Sequence, residues 1–311
     1  MRLAVLDLGT NVFNLLIADV SGEGCDIKKV VKTGSHIGKG GFKRGELTRE
    51  AIQSSLEALD KMKLEIEQIG GVHFVKAFAT SAVRDSSNGV LFVEQIRDRY
   101  GFDAEIISGD REAELIYKGI RESLLIYNEK VLMLDIGGGS NEFIIADRER
   151  IYWKESFPLG VIRMKELLSP SDPISDDDID RYVKHLDKIL DPLFANAAIY
   201  KPSLLIGSSG SFDTLRELIF PNDNGVLPAM ELPLNRFFEL HSKLLKSTVK
   251  ERFEMAGMSP LRAEYMVLGS IFVNYIISRL GVKELYQSAY SLKEGYMAEV
   301  AEELKMKNSK L

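Results

Sequence analysis

The chain is poor in the residues that staple small folds or cross membranes. It has one cysteine, Cys25, in 311 residues, so no internal disulfide can form and a reducing compartment is expected. Cys25 sits in the turn Ser21-Gly22-Glu23-Gly24-Cys25-Asp26 with no base beside it, and reads as chemically silent. His36, His73, His185 and His241 are scattered without ligand spacing, which argues against a zinc site and a histidine nucleophile. Lys and Arg number 40 against 46 Asp and Glu, a formal net charge of −6. A broad nucleic-acid surface needs a basic excess, so none is expected. Long apolar runs are missing too. Residues 267–280 contain Ser270, Asn274, Ser278 and Arg279 and read as a core helix rather than a membrane span. Asp7, Asn11, Asn14 and Asp19 interrupt the N-terminal apolar stretch, so neither signal peptide nor membrane association is expected. The expectation is a soluble, cytoplasmic protein long enough for two domains.

What the chain does have is a repeated loop. Asp7-Leu8-Gly9-Thr10-Asn11 follows the apolar run Leu3-Ala4-Val5-Leu6. Asp135-Ile136-Gly137-Gly138-Gly139-Ser140-Asn141-Glu142 follows Val131-Leu132-Met133-Leu134. Each is followed by a second apolar run, so the pattern reads as strand, tight glycine turn, strand. Glycine lets the backbone approach a ligand closely, and successive N–H groups can then hold an anion. An aspartate would repel phosphate directly. It makes sense if it holds Mg²⁺, directly or through water, or orients a nucleophilic water. One such loop would read as a plain hairpin. Two imply a duplicated fold with a phosphate cleft between its halves.

Between the loops, strands and helices alternate, which predicts a mixed α/β domain. A basic glycine loop spans residues 39–45, with Lys39, Lys43 and Arg44; it lines an anion's approach or is simply solvated. Thr48 is a natural cap for a helix running to about residue 69. Asp176, Asp177 and Asp178 resemble a metal cluster, but aspartates opening a helix serve its dipole and cap. A third glycine loop, Gly207-Ser208-Ser209-Gly210, opens a helix predicted from Phe212, and first-turn N–H groups make that an anion site by geometry. Residues 220–235 read as a long loop and the remainder as mostly helix.

These loops resemble the motifs of the Ppx/GppA phosphatases. Ala79-Thr80-Ser81-Ala82-Val83-Arg84 is similar to that family's Ala-Thr-x-x-x-Arg segment, and Ile107-Ser108-Gly109-Asp110-Arg111-Glu112-Ala113 to the turn carrying its catalytic glutamate. Ser291-Leu292-Lys293-Glu294-Gly295 resembles its C-terminal Leu-Arg-Glu-Gly element. The motifs run in family order along nearly the whole chain. The resemblance implies an α/β, duplicated actin/hexokinase/Hsp70-like (ribonuclease H-like) fold with an interdomain cleft. The domains are expected at 1–121, regaining a helix at about 296–311, and at 122–295.

The resemblance further implies hydrolysis of terminal phosphates of polyphosphate or of pppGpp, with Mg²⁺ as cofactor and Mn²⁺ as an alternative. Glu112 is then the general base; from its position alone it would read as a helix-start carboxylate. Gly9, Thr10, Asn11, Arg84, Gly137, Gly138, Gly139, Ser140, Gly207, Ser208, Ser209 and Gly210 are the phosphate-binding candidates, and Asp7, Asp135 and Glu142 the metal candidates. The expected partners are the substrate and, as one option, a second copy of the chain in a homodimer. Two departures bear on substrate: Asp85 stands where relatives carry a second Arg or Gln, and Gln287-Ser288 stands in the segment where they often have Asp-Gly. Polyphosphate is the preferred substrate, since it can be gripped by backbone N–H groups and a few cations without a pocket for a base. A kinase of the same fold or an actin-like scaffold would leave Glu112 unexplained.

Overall fold

The structure, a computed structural model, describes residues 1–124, 129–223 and 225–309. It comprises two compact units, one formed by Met1–Glu122 with Ser291–Leu311 and the other by Ser123–Tyr290.

The first unit opens with an antiparallel meander, β1 (Arg2–Leu8), β2 (Val12–Ser21) and β3 (Gly24–Gly34). Then come α1 (Arg49–Gln68), β4 (Phe74–Ala79), the short α2 (Ser81–Arg84), α3 (Gly89–Tyr100), β5 (Asp103–Ile106) and α4 (Gly109–Ser123). The sheet order is β3-β2-β1-β4-β5, with β4 parallel to β1 and β5 parallel to β4. Strand β1 is central, and Leu3, Ala4, Val5, Leu6 and Leu8 are all buried, as the unbroken apolar run requires. The Thr48 hydroxyl accepts the Ala51 N–H at 3.1 Å and starts α1, whose stripe Ala51, Leu56, Leu59, Met62 and Ile66 faces the core. Cys25 lies on exposed β3 rather than in the preceding turn.

The second unit repeats the meander with β6 (Val131–Ile136), β7 (Asn141–Ala146) and β8 (Ile151–Phe157). It continues through α5 (Val161–Leu168), α6 (Asp176–Ile189), α7 (Asp191–Tyr200), β9 (Leu205–Ser208) and α8 (Ser209–Ile219). Next come β10 (Ala229–Glu231), α9 (Leu234–Lys246), α10 (Val249–Phe253), α11 (Met266–Leu280) and β11 (Leu285–Ser288). Its sheet order is β10-β11-β9-β6-β7-β8, with β9 and β11 added in parallel beside β6 as β4 and β5 are beside β1. The two units are thus copies of one ribonuclease H-like α/β plan, the actin/hexokinase/Hsp70-like duplication. Among the described residues no helix is long and apolar enough to cross a membrane.

Several boundaries differ from the sequence reading. The final helix, α12 (Leu292–Asn308), starts before residue 296, and Ser291–Leu311 belongs with the first unit. Ser291 and Glu294 form a capping box that fixes this start. Gly295 is a packing residue. A Cβ there would lie 1.8 Å from the Leu115 carbonyl oxygen, and one at Gly119 would lie 1.9 Å from that of Ser291, so α4 and α12 meet backbone to backbone. Arg111 and Lys118 on α4 pair with Glu299 along the same seam. Strands β10 and β11 fall where loop and helix were expected, because three and four residues carry too little alternation to announce a strand. Helix α8 starts at Ser209, not Phe212. Asp176, Asp177 and Asp178 do occupy the first turn of α6, capped by Ser175.

Candidate active site

The two hairpins make the same backbone demand. A Cβ at Gly9 would lie 2.8 Å from the Val12 carbonyl oxygen, and one at Gly137 would lie 2.7 Å from that of Ser140. In each turn the carbonyl three residues on folds back over the glycine, leaving no room for a side chain. The aspartates end equivalent strands and face equivalent partners, Asp7 opposite Asn14 and Asp135 opposite Glu142.

In the second unit this produces an acidic row across four strands. Strand register aligns Ser208, Asp135, Glu142 and Ser156. Ser208 and Ser209 donate their hydroxyls to Asp135 at 2.7 and 2.6 Å. Ser140 and Ser156 both donate to Glu142 Oε1 at 2.7 Å. Both carboxylates are buried, at 5% and 1% exposure. The serine hydroxyls assigned to phosphate from sequence are therefore turned onto carboxylates. Ser209 adopts a left-handed φ of 68° at the start of α8.

Backbone contacts lock the second loop. The N–H groups of Val161 and Ile162 at the start of α5 donate to the carbonyls of Gly137 and Gly138 at 3.1 and 2.9 Å, and Arg163 Nε donates to the Gly139 carbonyl at 2.7 Å. Gly160 permits this approach, since a Cβ there would lie 2.3 Å from the Gly139 nitrogen. The loop's carbonyls are thereby drawn onto α5. At the third loop a Cβ on Gly210 would lie 2.0 Å from Arg262 Nη2, so a guanidinium rests directly on the backbone. Arg163 and Arg262 are the cations that sequence reasoning missed. They lie 24 (Arg163 from Gly139) and many more residues from the loops they touch, and no local pattern marks them.

In the first unit Thr10 and Asn11 are buried at the tip of the hairpin. Asp7 accepts the Asn14 amide N–H at 3.0 Å. The segment after β3 closes over the tip, with the Gly38 N–H donating to the Thr10 carbonyl at 2.9 Å and His36 Nδ1 lying 2.9 Å from Asn11 Oδ1. Lys39, Lys43 and Arg44 follow on this segment and are exposed. Arg84, at the end of α2, donates from Nη1 to Glu112 Oε2 at 2.8 Å and to the Ile107 carbonyl at 3.1 Å. Glu112, in the first turn of α4, is 8% exposed. Asp85 approaches Arg84 Nε at 3.7 Å, and Ser81 donates to Asp85 at 3.2 Å. The first unit thus brings Arg84 and Glu112 together, and the second brings Asp135, Glu142 and the serines of two loops together.

The donor set of the acidic row, carboxylates and hydroxyls, suits a hard divalent cation such as Mg²⁺. Among the described residues no three His, Cys, Asp or Glu side chains cluster as a metal cage. Mg²⁺ usually keeps several waters and takes one or two carboxylates with substrate phosphates, so a pair is compatible with it.

Glycine turns that carry acids at strand ends, on a duplicated ribonuclease H-like plan, define a phosphate-handling protein. The Ppx/GppA phosphatase family matches residues 17–304, and the chain belongs to that family. It is accordingly a phosphatase-type hydrolase. Exopolyphosphatase 2 of Mycobacterium tuberculosis is 27% identical over 317 positions, covering 96% of this chain and 98% of that protein. A bifunctional 3-dehydroquinate synthase/phosphatase of Fusobacterium nucleatum is 29% identical over 89% of this chain, which spans 43% of that longer protein. The crystal structure of an exopolyphosphatase from Cytophaga hutchinsonii is similar with a TM-score of 0.93 and 34% identity, over 98% of this chain and 99% of that one. An Aquifex aeolicus member of the Ppx/GppA family shares the fold, with a TM-score of 0.79 at 24% identity over 97% of this chain and 98% of that one.

Proposed function

We propose that the chain is a cytoplasmic, Mg²⁺-dependent exopolyphosphatase. Water adds to the terminal phosphorus of inorganic polyphosphate, the bridging P–O bond breaks, and orthophosphate and a chain one unit shorter leave. The observation that carries this reading is the Arg84–Glu112 pair. A helix-start carboxylate serving only the dipole would face solvent. Glu112 instead lies buried against a guanidinium at 2.8 Å.

In this reading Glu112 is the general base that takes the proton of the attacking water, and Arg84 fixes its direction. The Gly137 N–H is taken by the Ser140 carbonyl at 3.1 Å, so Gly137 shapes the turn rather than donating. Gly9, Thr10, Asn11, Gly138, Gly139, Ser140, Gly207 and Gly210 are the residues that would offer donors to phosphate oxygens, mainly from the backbone. Arg163 and Arg262 add positive charge beside the loops. Asp135 and Glu142 would hold Mg²⁺, which when bound neutralises phosphate charge. The likeness to proteins named exopolyphosphatase in Mycobacterium tuberculosis and Cytophaga hutchinsonii supports polyphosphate over pppGpp as substrate.

The test is phosphate release from short polyphosphate, long polyphosphate, pppGpp and ATP, measured in parallel at fixed Mg²⁺ and ionic strength. The expected result is the highest kcat/KM on polyphosphate. A clear preference for pppGpp overturns the substrate and keeps the hydrolysis. Turnover of ATP alone overturns both.

A further inference from the structure

We propose that the cavity between the C-terminal ends of α7 and α11 binds a small amphipathic anion, a single acid group on a short apolar chain. The site belongs to the second unit alone and does not depend on the hydrolase reading.

The cavity measures about 380 Å³, at the small end of ligand pockets, which span roughly 300–1,000 Å³. Its apolar lining is Phe194, Ala197, Ala198, Pro202 and Leu280, and its charged lining is Lys201 and Arg279. Arg279 lies over the rings of Phe194 and Tyr275, 4.7 and 5.7 Å from their centroids, and donates to Asp187 at 3.2 Å. One of the two positive charges is thus balanced. Among the described residues the Lys201 ammonium has no ion pair, hydrogen bond or ring partner. The cavity therefore keeps a net positive charge beside hydrocarbon. That combination suits an acid with an apolar body, and a bare phosphate chain would leave the apolar lining unused while losing its own hydration. The cavity is also set apart from the acidic row. Lys201 and Pro202 lead into β9, and it is the far end of β9 that carries Ser208, the donor to Asp135.

Lys201 is moreover an unfavourable residue for its own backbone. It caps α7 in the left-handed region, at φ 50° and ψ 60°, where glycine is favoured. Helices α3 and α11 place Gly101 and Gly281 at the same left-handed cap, and α5 places the small Ser169 there. Pro202 follows, and the residue before a proline is pushed toward extended backbone. A lysine at this point is thus disfavoured twice. Capping does not explain it, because the bond that closes α7 runs from the Lys201 backbone N–H to the Ala197 carbonyl at 2.8 Å, and any residue but proline would make it. A cation complements the helix dipole from anywhere in the last turn. What position 201 adds is an ammonium at an apolar cavity that a guanidinium from α11 also lines.

Octanoate, octylamine and octanol present the same chain with a negative, a positive and no charge at neutral pH. Calorimetry should show saturable octanoate binding, about tenfold or more tighter than either of the others, the scale of one hydrogen bond to a charged group. Lys201→Gly removes the ammonium and relieves the backbone. It should weaken octanoate about tenfold while melting no lower than wild type, so the loss cannot be assigned to poor folding. Lys201→Arg should retain the affinity. Ala198→Phe fills the cavity from an exposed helix position and should abolish octanoate binding with the net charge unchanged. Saturating tripolyphosphate should leave octanoate in place. Absence of saturable octanoate binding would overturn the proposal. So would equal affinity for the acid and the amine, since apolar contact alone would then hold the chain. Unchanged octanoate affinity in Lys201→Gly or Ala198→Phe would overturn it as well. Displacement of octanoate by tripolyphosphate would assign the anion to the phosphate loops and end it too. None of these readouts needs turnover, so the cavity and the hydrolase reading stand or fall separately.

Discussion

Asp7 and Asp135 end equivalent strands, yet the rows of side chains beside them have different chemistry. Across the second unit the row is Ser208, Asp135, Glu142, Ser156; across the first it is Phe78, Asp7, Asn14, Lys32. An amide stands where the second acid would be, and a phenyl ring and a lysine stand where the serines would be. The glycine that turns each loop is kept, because any Cβ would strike a carbonyl. Duplication has preserved what the backbone needs and left the charge free to diverge. Two neighbouring carboxylates favour a cation, whereas one carboxylate satisfied by an amide does not. The second row therefore offers two carboxylates to the proposed metal and the first row one, which makes the metal dependence of the two rows comparable by experiment.

The largest effect is expected outside both rows. Glu112→Gln keeps the shape of the side chain and removes the base, so kcat should fall about 10² to 10⁴-fold, the usual worth of a positioned acid–base group. The Mg²⁺ concentration for half-maximal activity should not move. Near-normal turnover would transfer the base to another carboxylate, with Glu142 the next candidate, and would blur the division between proton chemistry and metal binding.

The two rows can be set against each other directly. Asp135→Asn and Glu142→Gln should each raise the Mg²⁺ needed for half-maximal activity by about 10 to 100-fold. Asp7→Asn should shift it distinctly less, because Asp7 stands beside an amide. Metal titrations of the three variants at saturating polyphosphate make the comparison. Equal shifts in all three would break it, and would make Asp7 a metal ligand of the same standing.

The shared backbone geometry predicts a matched pair of smaller effects. Gly9→Ala and Gly137→Ala should each cost about 1–3 kcal/mol of stability, the range for forcing a methyl into a filled space. The near-identical contacts, 2.8 and 2.7 Å, require similar losses. Urea unfolding of both variants checks this. A loss at one position only would show that the two turns are not equivalent.

The fold and most loop positions were legible in sequence because they rest on local patterns. Apolar runs ended by Asp-x-Gly mark β1 and β6, and Thr48 marks α1. Charge placement was less legible. Ser140, Ser208 and Ser209 read as phosphate ligands, yet their hydroxyls serve Glu142 and Asp135, and only the register between distant strands reveals this. The pairing of Arg84 with Glu112 spans 28 residues and depends on how α2 and α4 are set about β4 and β5. Arg163, Arg262 and His36 act on loops from which they are remote in sequence. Gly295 looked like part of a functional motif and proves to be where α12 crosses α4.

The smallest effect concerns that crossing, which belongs to the first unit alone. Burial by itself would raise the pKa of Glu299, but hydrogen bonds and charge from Arg111 and Lys118 outweigh it and hold the value below the ordinary 4.5. A depressed carboxylate pKa means the unfolded chain binds the proton more readily than the folded one. The stabilisation is then fully present above the ordinary value and is lost as pH falls through the folded value. Both cations are partly exposed, with 33% and 25% of their side-chain surface accessible, so solvent screens the pair. Its worth should therefore stay under about 1 kcal/mol. Glu299→Gln should lower Tm modestly at neutral pH and flatten the loss of Tm below pH 4.5. The two melting curves should converge once Glu299 is protonated, and added salt should shrink the neutral-pH difference. A Tm difference that persists at low pH would assign Glu299 to packing rather than charge, and would leave the Gly119–Gly295 crossing as what holds α12 to its unit.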